Sequence, residues 1–305
     1  MPMSSMPMSP TLKITYGLSK EVGIDVTDIC RDKLLNGTII RIPSEDCRRA
    51  TFFTDPYVNK KKYIFVEIDG INTEYDDTVM IVIDISDNKM YSEERDLLLI
   101  QKDLKLLYGD FAEEVPEQKM VANYLIGNEK VLEIGANIGR NSLIIGSILR
   151  RHGNPNFVSL ECDPISVKKL TTNRDINDMD FKIEGSALSK RKLIQHGWTT
   201  IESDVLLPGY TNVNNISWEE LNAKYNIEFD TLVMDCEGAF YYILMDMPEI
   251  LTNIKTIIME NDYWDMSHKL FIDDVIIKNG FQVYYVEGGG WGPCIDRFFE
   301  IWVKK

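Results

Sequence analysis

The chain has 305 residues, 44% of them hydrophobic and 27% charged, with a formal net charge of −15. That is a globular balance, with length for one large domain or two modest ones. The acidic surface disfavours nucleic acid or any other polyanion as partner, and no apolar run approaches the roughly 20 residues of a membrane span.

"MPMSSMPMSP" (1–10) has neither a basic n-region nor an apolar h-region, so a disordered tail is expected there and not a secretory signal. Cysteines stand at 30, 47, 162, 236 and 294. None makes a CxxC pair, which argues against a disulfide framework or a zinc site and fits a reducing, cytoplasmic setting. Next, "TLKITYG", "GTIIRIP", "KKYIFVEI" and "TVMIVIDI" predict short strands punctuated by Gly, Asn, Asp and Pro. A small all-β, sandwich-like accessory domain is expected over 11–90. Its basic residues, Arg48, Arg49 and Lys60 to Lys62, are interrupted by Asp55 and read as a solvated loop. No acid, base or nucleophile set clusters in it, which leaves acceptor binding, self-association or plain packing as its role.

Residues 91–305 open with two helices, and from 130 onward strands and helices alternate. "SEERDLLLIQKDLKLLYG" sets Leu97, Ile100, Leu104 and Leu107 on one helical stripe that Gly109 can end. "PEQKMVANYLIG" is a second helix, with Pro116 near its first turn. Then come "KVLEIG", a helix over 139–151, "NFVSLE", a helix over 164–175, and "DFKIEG". A helix opened by the capping box Ser217/Glu220 follows, then "FDTLVMD" and a helix through about 252. "KTIIME", a helix near 267–279, "FQVYYV" and "FFEIWV" complete the order. This predicts an α/β fold with a mainly parallel, Rossmann-like sheet of seven strands and helices on both faces. The last two strands, with no helix between them, are expected as an antiparallel pair at one edge.

The chemistry gathers at strand ends. In "VLEIGANIGRNS" (131–142) a strand delivers Glu133, Gly135, Asn137 and Gly139 into a tight turn that opens a helix. Glycine lets a ligand approach the backbone, and the helix start offers free N–H groups. The pattern is neither the GxGxxG of a dinucleotide site nor a P-loop. Glu161 in "SLECDP" ends the next strand and is placed to bind ribose hydroxyls. Asp235 and Glu237 follow the fourth strand, and Glu260 and Asn261 the fifth. Adjacent parallel strands would bring all four to one edge.

With "GSALS" (185–189) and "MDCEGAF" (234–240), these motifs resemble the FkbM type of S-adenosylmethionine-dependent methyltransferase over about 100–305. The resemblance implies the class I methyltransferase form of the sheet. It also implies methyl transfer to a hydroxyl, most often of a sugar in a glycan or glycosylated metabolite. The cofactor set would be Glu133, Gly135, Asn137 and Gly139, with the loop at the methionine end, Glu161 at the ribose and Ser186 at the adenine edge. Phe240 stands where the family carries an acid, which implies altered packing of that helix.

The two strand ends also resemble the magnesium site of catechol-type and some macrolide-sugar O-methyltransferases. That implies Asp235, Glu260 and Asn261 as ligands of one Mg²⁺. The basic residue which the catechol type carries one helical step on is Gly238 here. The expected catalytic acids are therefore Asp235, Glu237 and Glu260, with Asp235 or Glu237 as base and His268 behind them. "VEGGGWGPC" (286–294) predicts a mobile loop with an aromatic platform for a sugar, faced by Tyr263 and Trp264. Two other readings stay open. One is O-methylation of a protein, lipid or small aromatic hydroxyl. The other is a binding or scaffold protein with a relic donor pocket. Oligomeric state is not legible in the sequence.

Overall fold

The computed structural model describes residues 12–304 apart from 37, 44, 45, 78, 79, 87, 88, 92, 126 and 198. The expected tail, 1–10, lies outside the described residues. The chain divides into two units, Met1–Leu98 and Leu99–Lys305. The division falls inside the helix Glu93–Lys102, a little past the expected boundary at 90.

The first unit holds two four-stranded sheets. One runs, in spatial order, Gly23–Asp25, Leu12–Gly17, Tyr63–Ile68, Ile71–Tyr75. The other runs Leu35–Asn36, Ile39–Ile42, Ile81–Asp84, Lys89–Tyr91. Two helices, Thr27–Lys33 and Asp46–Phe53, correct the expectation of strands alone. Each is about two turns long, too short to show a helical period in sequence. Each delivers a fully buried side chain, Cys30 or Phe53, into a core with Ile14, Tyr16, Ile40 and Ile64, with Ile29 and Phe52 packed against it.

The basic residues of this unit are not all solvated. Arg49 is 0% and Lys62 1% exposed. The Lys62 ammonium pairs with Asp46 at 2.8 Å and Asp55 at 2.9 Å, and donates to the carbonyls of Tyr57 and Lys60. Arg49 Nε donates to the carbonyl of Pro43 at 2.8 Å. A charge survives burial only with such partners.

The second unit carries the seven-stranded sheet. Its strands in chain order are β1 (Val131–Ile134), β2 (Phe157–Leu160), β3 (Lys182–Glu184), β4 (Thr231–Met234), β5 (Thr256–Glu260), β6 (Phe281–Glu287) and β7 (Phe299–Lys304). In space they run β3-β2-β1-β4-β5-β7-β6. The first five are parallel, and β7 is antiparallel to both β5 and β6. This is the Rossmann-like sheet with an antiparallel edge pair that the sequence predicts. Strands β1, β2 and β4 are buried throughout, which is why they read as unbroken apolar runs.

The flanking helices are α1 (Val115–Tyr124), α2 (Arg140–Arg151), α3 (Pro164–Asp175), α4 (Trp218–Tyr225), α5 (Phe240–Asp246) and α6 (Met266–Lys278). Packed pairs form between α1 and α2 and between α5 and α6. Local chemistry fixes their starts. Asp163 accepts from the N–H groups of Ile165 and Ser166, with Pro164 at the first position of α3. Ser217 and Glu220 make the expected capping box of α4.

Two helices end earlier than their patterns suggest. The stripe through Leu107 is cut at Lys102. Beyond it, Asn173 Oδ1 accepts from the N–H of Leu107 and Tyr108, and Asn177 Oδ1 from Lys105, so this backbone is satisfied without a helix. Helix α5 stops at Asp246 and a short 3₁₀ turn begins at Pro248, which has no N–H for the ladder. Between β3 and α4 lies an insertion the sequence reading lacked. It holds the antiparallel strands Leu193–His196, Thr199–Glu202 and Thr211–Asn212. Among the described residues no helix is long and apolar enough to cross a membrane.

Lys62→Ala is expected to cost about 2 kcal/mol, below the full buried-pair range because both carboxylates keep some water. A urea titration checks it, with a lowered midpoint for Lys62→Ala and an unmoved one for Lys61→Ala.

Candidate active site

The strands that matter end level. Ile134 of β1 pairs with Leu160 of β2 and Met234 of β4, and Met234 pairs with Met259 of β5. The residues that follow these form one row, Glu161, Gly135, Asp235 and Glu260, on strands about 4.8 Å apart. A cleft of about 1560 Å³ opens at this edge. Gly135, Asn137, Glu161, Ser186, Asp235, Glu237 and Glu260 all line it, and Glu133 and Asn261 do not. Gly139 is the N-cap residue of α2 at the end of the same turn.

Gly135 has φ +89°, and a Cβ built there would lie 1.6 Å from the carbonyl oxygen of Asp235. The crossing of the two strand ends therefore requires glycine. Two turns meet on Glu161. Its Oε2 accepts from the Asn137 N–H and its Oε1 from the Asp163 N–H, each at 2.7 Å. Burial pushes its carboxyl up from the ordinary value. Each oxygen keeps a second lone pair for a ligand hydroxyl. Ser186 is 8% exposed and donates to Glu184 Oε1 at 2.8 Å, so its hydroxyl is already engaged.

Glu133 sits elsewhere. It lies opposite Ser159 in the β1–β2 register and accepts from Ser159 Oγ at 2.6 Å and Ser142 Oγ at 2.5 Å. It is a buried tie between β1, β2 and α2, and not a cleft residue. It stands inside β1, two residues short of Gly135, and so lies below the strand-end row and not in it. Burial pushes its carboxyl up to about 7.

Asn261 is displaced for a similar reason. It is 0% exposed, its N–H donates to the Phe298 carbonyl and its Nδ2 to the Arg297 carbonyl, both at 2.7 Å. It clamps the end of β5 to the segment entering β7. The residue after Glu260 points to the opposite side of the strand, and Asn261 stays outside the cleft that Asp235 and Glu260 line, its Oδ1 buried without a partner.

A different trio from the expected one converges. Carboxylate oxygens of Glu117, Asp235 and Glu260 all lie within 4.8 Å of one another. Burial, and then the charges of Glu114 and Glu117, push Asp235 well up. Burial and a hydrogen bond with Glu117 push Glu260 up to about 11. Glu237 has a left-handed backbone, φ +50°. Loss of water and a hydrogen bond to Asp262 push its carboxyl up to about 7. Asp262 in turn accepts from Trp291 Nε1 at 3.2 Å.

The aromatic wall differs in part from expectation. Trp264 and Trp291, 73% and 54% exposed, both line the cleft. Tyr263 is 4% exposed and belongs to the core. The glycine loop is tightly built. A Cβ at Gly290 would lie 2.3 Å from the Phe298 ring, and the Gly289 N–H donates to Ile295. His268 stacks on Tyr241 with ring centroids 3.7 Å apart and is not a lining residue. Phe240 is fully buried at the start of α5.

Four contributors were missed in sequence: Glu114, Glu117, Arg140 and Asp262. Arg140 opens α2, pairs with Glu113 and, at 2.7 Å, with Glu114, and donates from Nε to the Asp110 carbonyl. Glu114 Oε1 also accepts from Asn137 Nδ2 at 3.2 Å. The signal for Glu117 was present. It shares a helical stripe with Met120, Val121 and Tyr124, where a carboxylate has no packing reason to be.

No protein-family model matches this sequence, and no curated protein matches it. Solved structures show a loose likeness. The ribosomal protein L11 methylase of Lactobacillus delbrueckii subsp. bulgaricus is 11% identical, with a TM-score of 0.41 over 66% of this chain and 84% of that one. An O-methyltransferase from Bacillus cereus in complex with SAH is 13% identical, with a TM-score of 0.40 over 70% and 90%. An rRNA methylase from Streptococcus thermophilus is 9% identical, with a TM-score of 0.40 over 65% and 98%. These values are too low to bear on the reaction or the substrate.

Glu133 gives a pH test. Its carboxyl is raised from 4.5 to about 7, so the folded state favours the protonated form. That stability is present below about pH 4.5 and is lost as pH rises through about 7, a loss of roughly 3 kcal/mol. Glu133→Gln removes the slope. Urea unfolding at pH 5 and pH 8 should show the variant gaining on the wild type at the higher pH by about that amount.

Proposed function

We propose that the second unit is an S-adenosylmethionine-dependent methyltransferase that methylates a hydroxyl, with a sugar as the acceptor class. The observation that carries the reading is the level row Glu161, Gly135, Asp235 and Glu260 on one cleft. The Gly135–Gly139 turn and the start of α2 would hold the methionine end of the donor. Glu161, fixed by two backbone N–H groups, would take the ribose hydroxyls. The segment around Ser186 would meet the adenine.

The acceptor would enter between Trp264 and Trp291, whose faces suit a sugar ring. Glu237 is the base in this reading. It reaches the open cleft, and its raised carboxyl is matched to neutral pH. The acceptor oxygen attacks the methyl carbon, the carbon–sulfur bond breaks, and its electron pair stays on sulfur as a neutral thioether. The hydroxyl proton passes to Glu237. Asp235 and Glu260 border the reacting oxygen, and a cation beside them would acidify it. Acidic residues Glu113, Glu114, Glu117 and Asp262 line the same end. They disfavour a phosphate-rich acceptor such as RNA. The first unit is the candidate for acceptor binding or self-association.

Calorimetry with S-adenosylmethionine tests the donor half. Glu161→Ala should weaken binding about tenfold or more, at roughly 1.5–3 kcal/mol for each lost charge-assisted bond. Unchanged affinity removes Glu161 from the site, and no binding by the wild type overturns the reading. On labelled donor with a panel of unmethylated glycans, turnover should rise with pH through about 7, as Glu237 loses its proton. Glu237→Gln should lower kcat at least a hundredfold and flatten that profile.

A further inference from the structure

Glu117 has no part in methyl transfer as drawn above. It comes from α1, ahead of the first strand of the sheet, and is 7% exposed. Its Oε2 is buried and meets no hydrogen-bond donor. It nonetheless lies in the cleft wall with a carboxylate oxygen in the 4.8 Å trio with Asp235 and Glu260. Among the described residues no ion pair joins a lysine or arginine to any of the three. Arg140, the guanidinium that reaches the start of this helix, is spent on Glu113 and Glu114.

Three carboxyl groups with oxygens this close, one of them buried, need protons or a cation between them. The spacing suits a cation. Oxygens on opposite sides of one hard ion lie about 4–5 Å apart and adjacent ones about 3 Å. An organic ammonium would set one positive charge against three carboxylates. A divalent ion sets two, and accepts an all-oxygen shell completed by water or by hydroxyls.

We propose that Glu117, Asp235 and Glu260 hold one hard divalent cation, Mg²⁺ or Mn²⁺, at the acceptor end of the cleft, with Glu117 in the place expected of Asn261. The binding stands on geometry, and only its purpose rests on the methyltransferase reading. That purpose is to fix an acceptor hydroxyl beside Glu237 and lower its pKa. The arrangement also ties α1 to the donor turn, because Glu114 at the start of the same helix accepts from Asn137 Nδ2 and Arg140.

The test is Mn²⁺ titration of the full chain, followed by electron paramagnetic resonance, with thermal unfolding in parallel. The wild type should bind one Mn²⁺ per chain and gain in midpoint. Glu117→Gln should bind at least tenfold more weakly. In chelator its midpoint should be at or above that of the wild type, since a repelling charge is gone, which shows that it folds. Glu237→Gln should bind Mn²⁺ as the wild type does. No Mn²⁺ binding by the wild type, or equal affinity in Glu117→Gln, overturns the site. Calorimetry with S-adenosylmethionine on the same samples separates the two ideas. Mn²⁺ binding without donor binding keeps the cation site and sinks the methyltransferase reading. Donor binding that weakens in Glu117→Gln, with no Mn²⁺ binding, overturns the site in favour of the donor's own ammonium as the occupant.

Discussion

Like charges crowd at the carboxyl edge of the sheet because β1, β4 and β5 end level. Parallel strands about 4.8 Å apart, in register, place the residue after each one within reach of its neighbours. Asp235 and Glu260 occupy two adjacent places in that row, and Glu117 is brought in from α1. Their mutual repulsion, only partly screened by water, is the constraint the rest of this end of the molecule answers.

Several features hold that edge in place. Gly135 lets β1 and β4 close to a distance no side chain would permit. Asn261, which follows Glu260, is spent on two backbone carbonyls and so locks the end of β5 to the entry of β7. Arg140 gathers Glu113 and Glu114, which anchors the start of α1 and holds Glu117 inward. Glu161 takes two backbone N–H groups from the turns on either side of it and becomes a rigid acceptor. The same side chains that keep the repelling trio together therefore also shape the place where a ribose and a methionine would lie.

Lys62 and Glu117 meet burial of a charge in opposite ways. Lys62 in the first unit is closed on all sides by Asp46, Asp55 and two carbonyls. Its charge is matched within the fold, as expected of a structural element. Glu117 in the second unit has one oxygen with no donor and two carboxylates as neighbours. Among the described residues no lysine or arginine pairs with it, as expected of a place kept for something else. Two of the basic residues that read as a surface loop, Arg49 and Lys62, proved structural, and an acid on an apolar helix stripe proved to belong to the cleft.

The sequence by itself determined the order of the seven sheet strands and their flanking helices over residues 131–304, though not the insertion between β3 and α4, and the positions of Gly135, Asn137, Glu161, Asp235, Glu237 and Glu260 on one edge. Those features are local: apolar runs, turn glycines, caps, and acids that end strands. It could not decide how deep in its strand, or on which side, a side chain sits relative to the cleft, and so it placed there Glu133, which is tied to Ser142 and Ser159 inside the sheet, and Asn261, which alternation turns away. It also missed the short helices of the first unit, which are too brief to show a period. Only the tertiary structure could bring Glu117 and Arg140 to the acids of β4 and β5. Their proximity arises from the packing of α1 and α2 beside the sheet, over sequence separations that no local pattern spans.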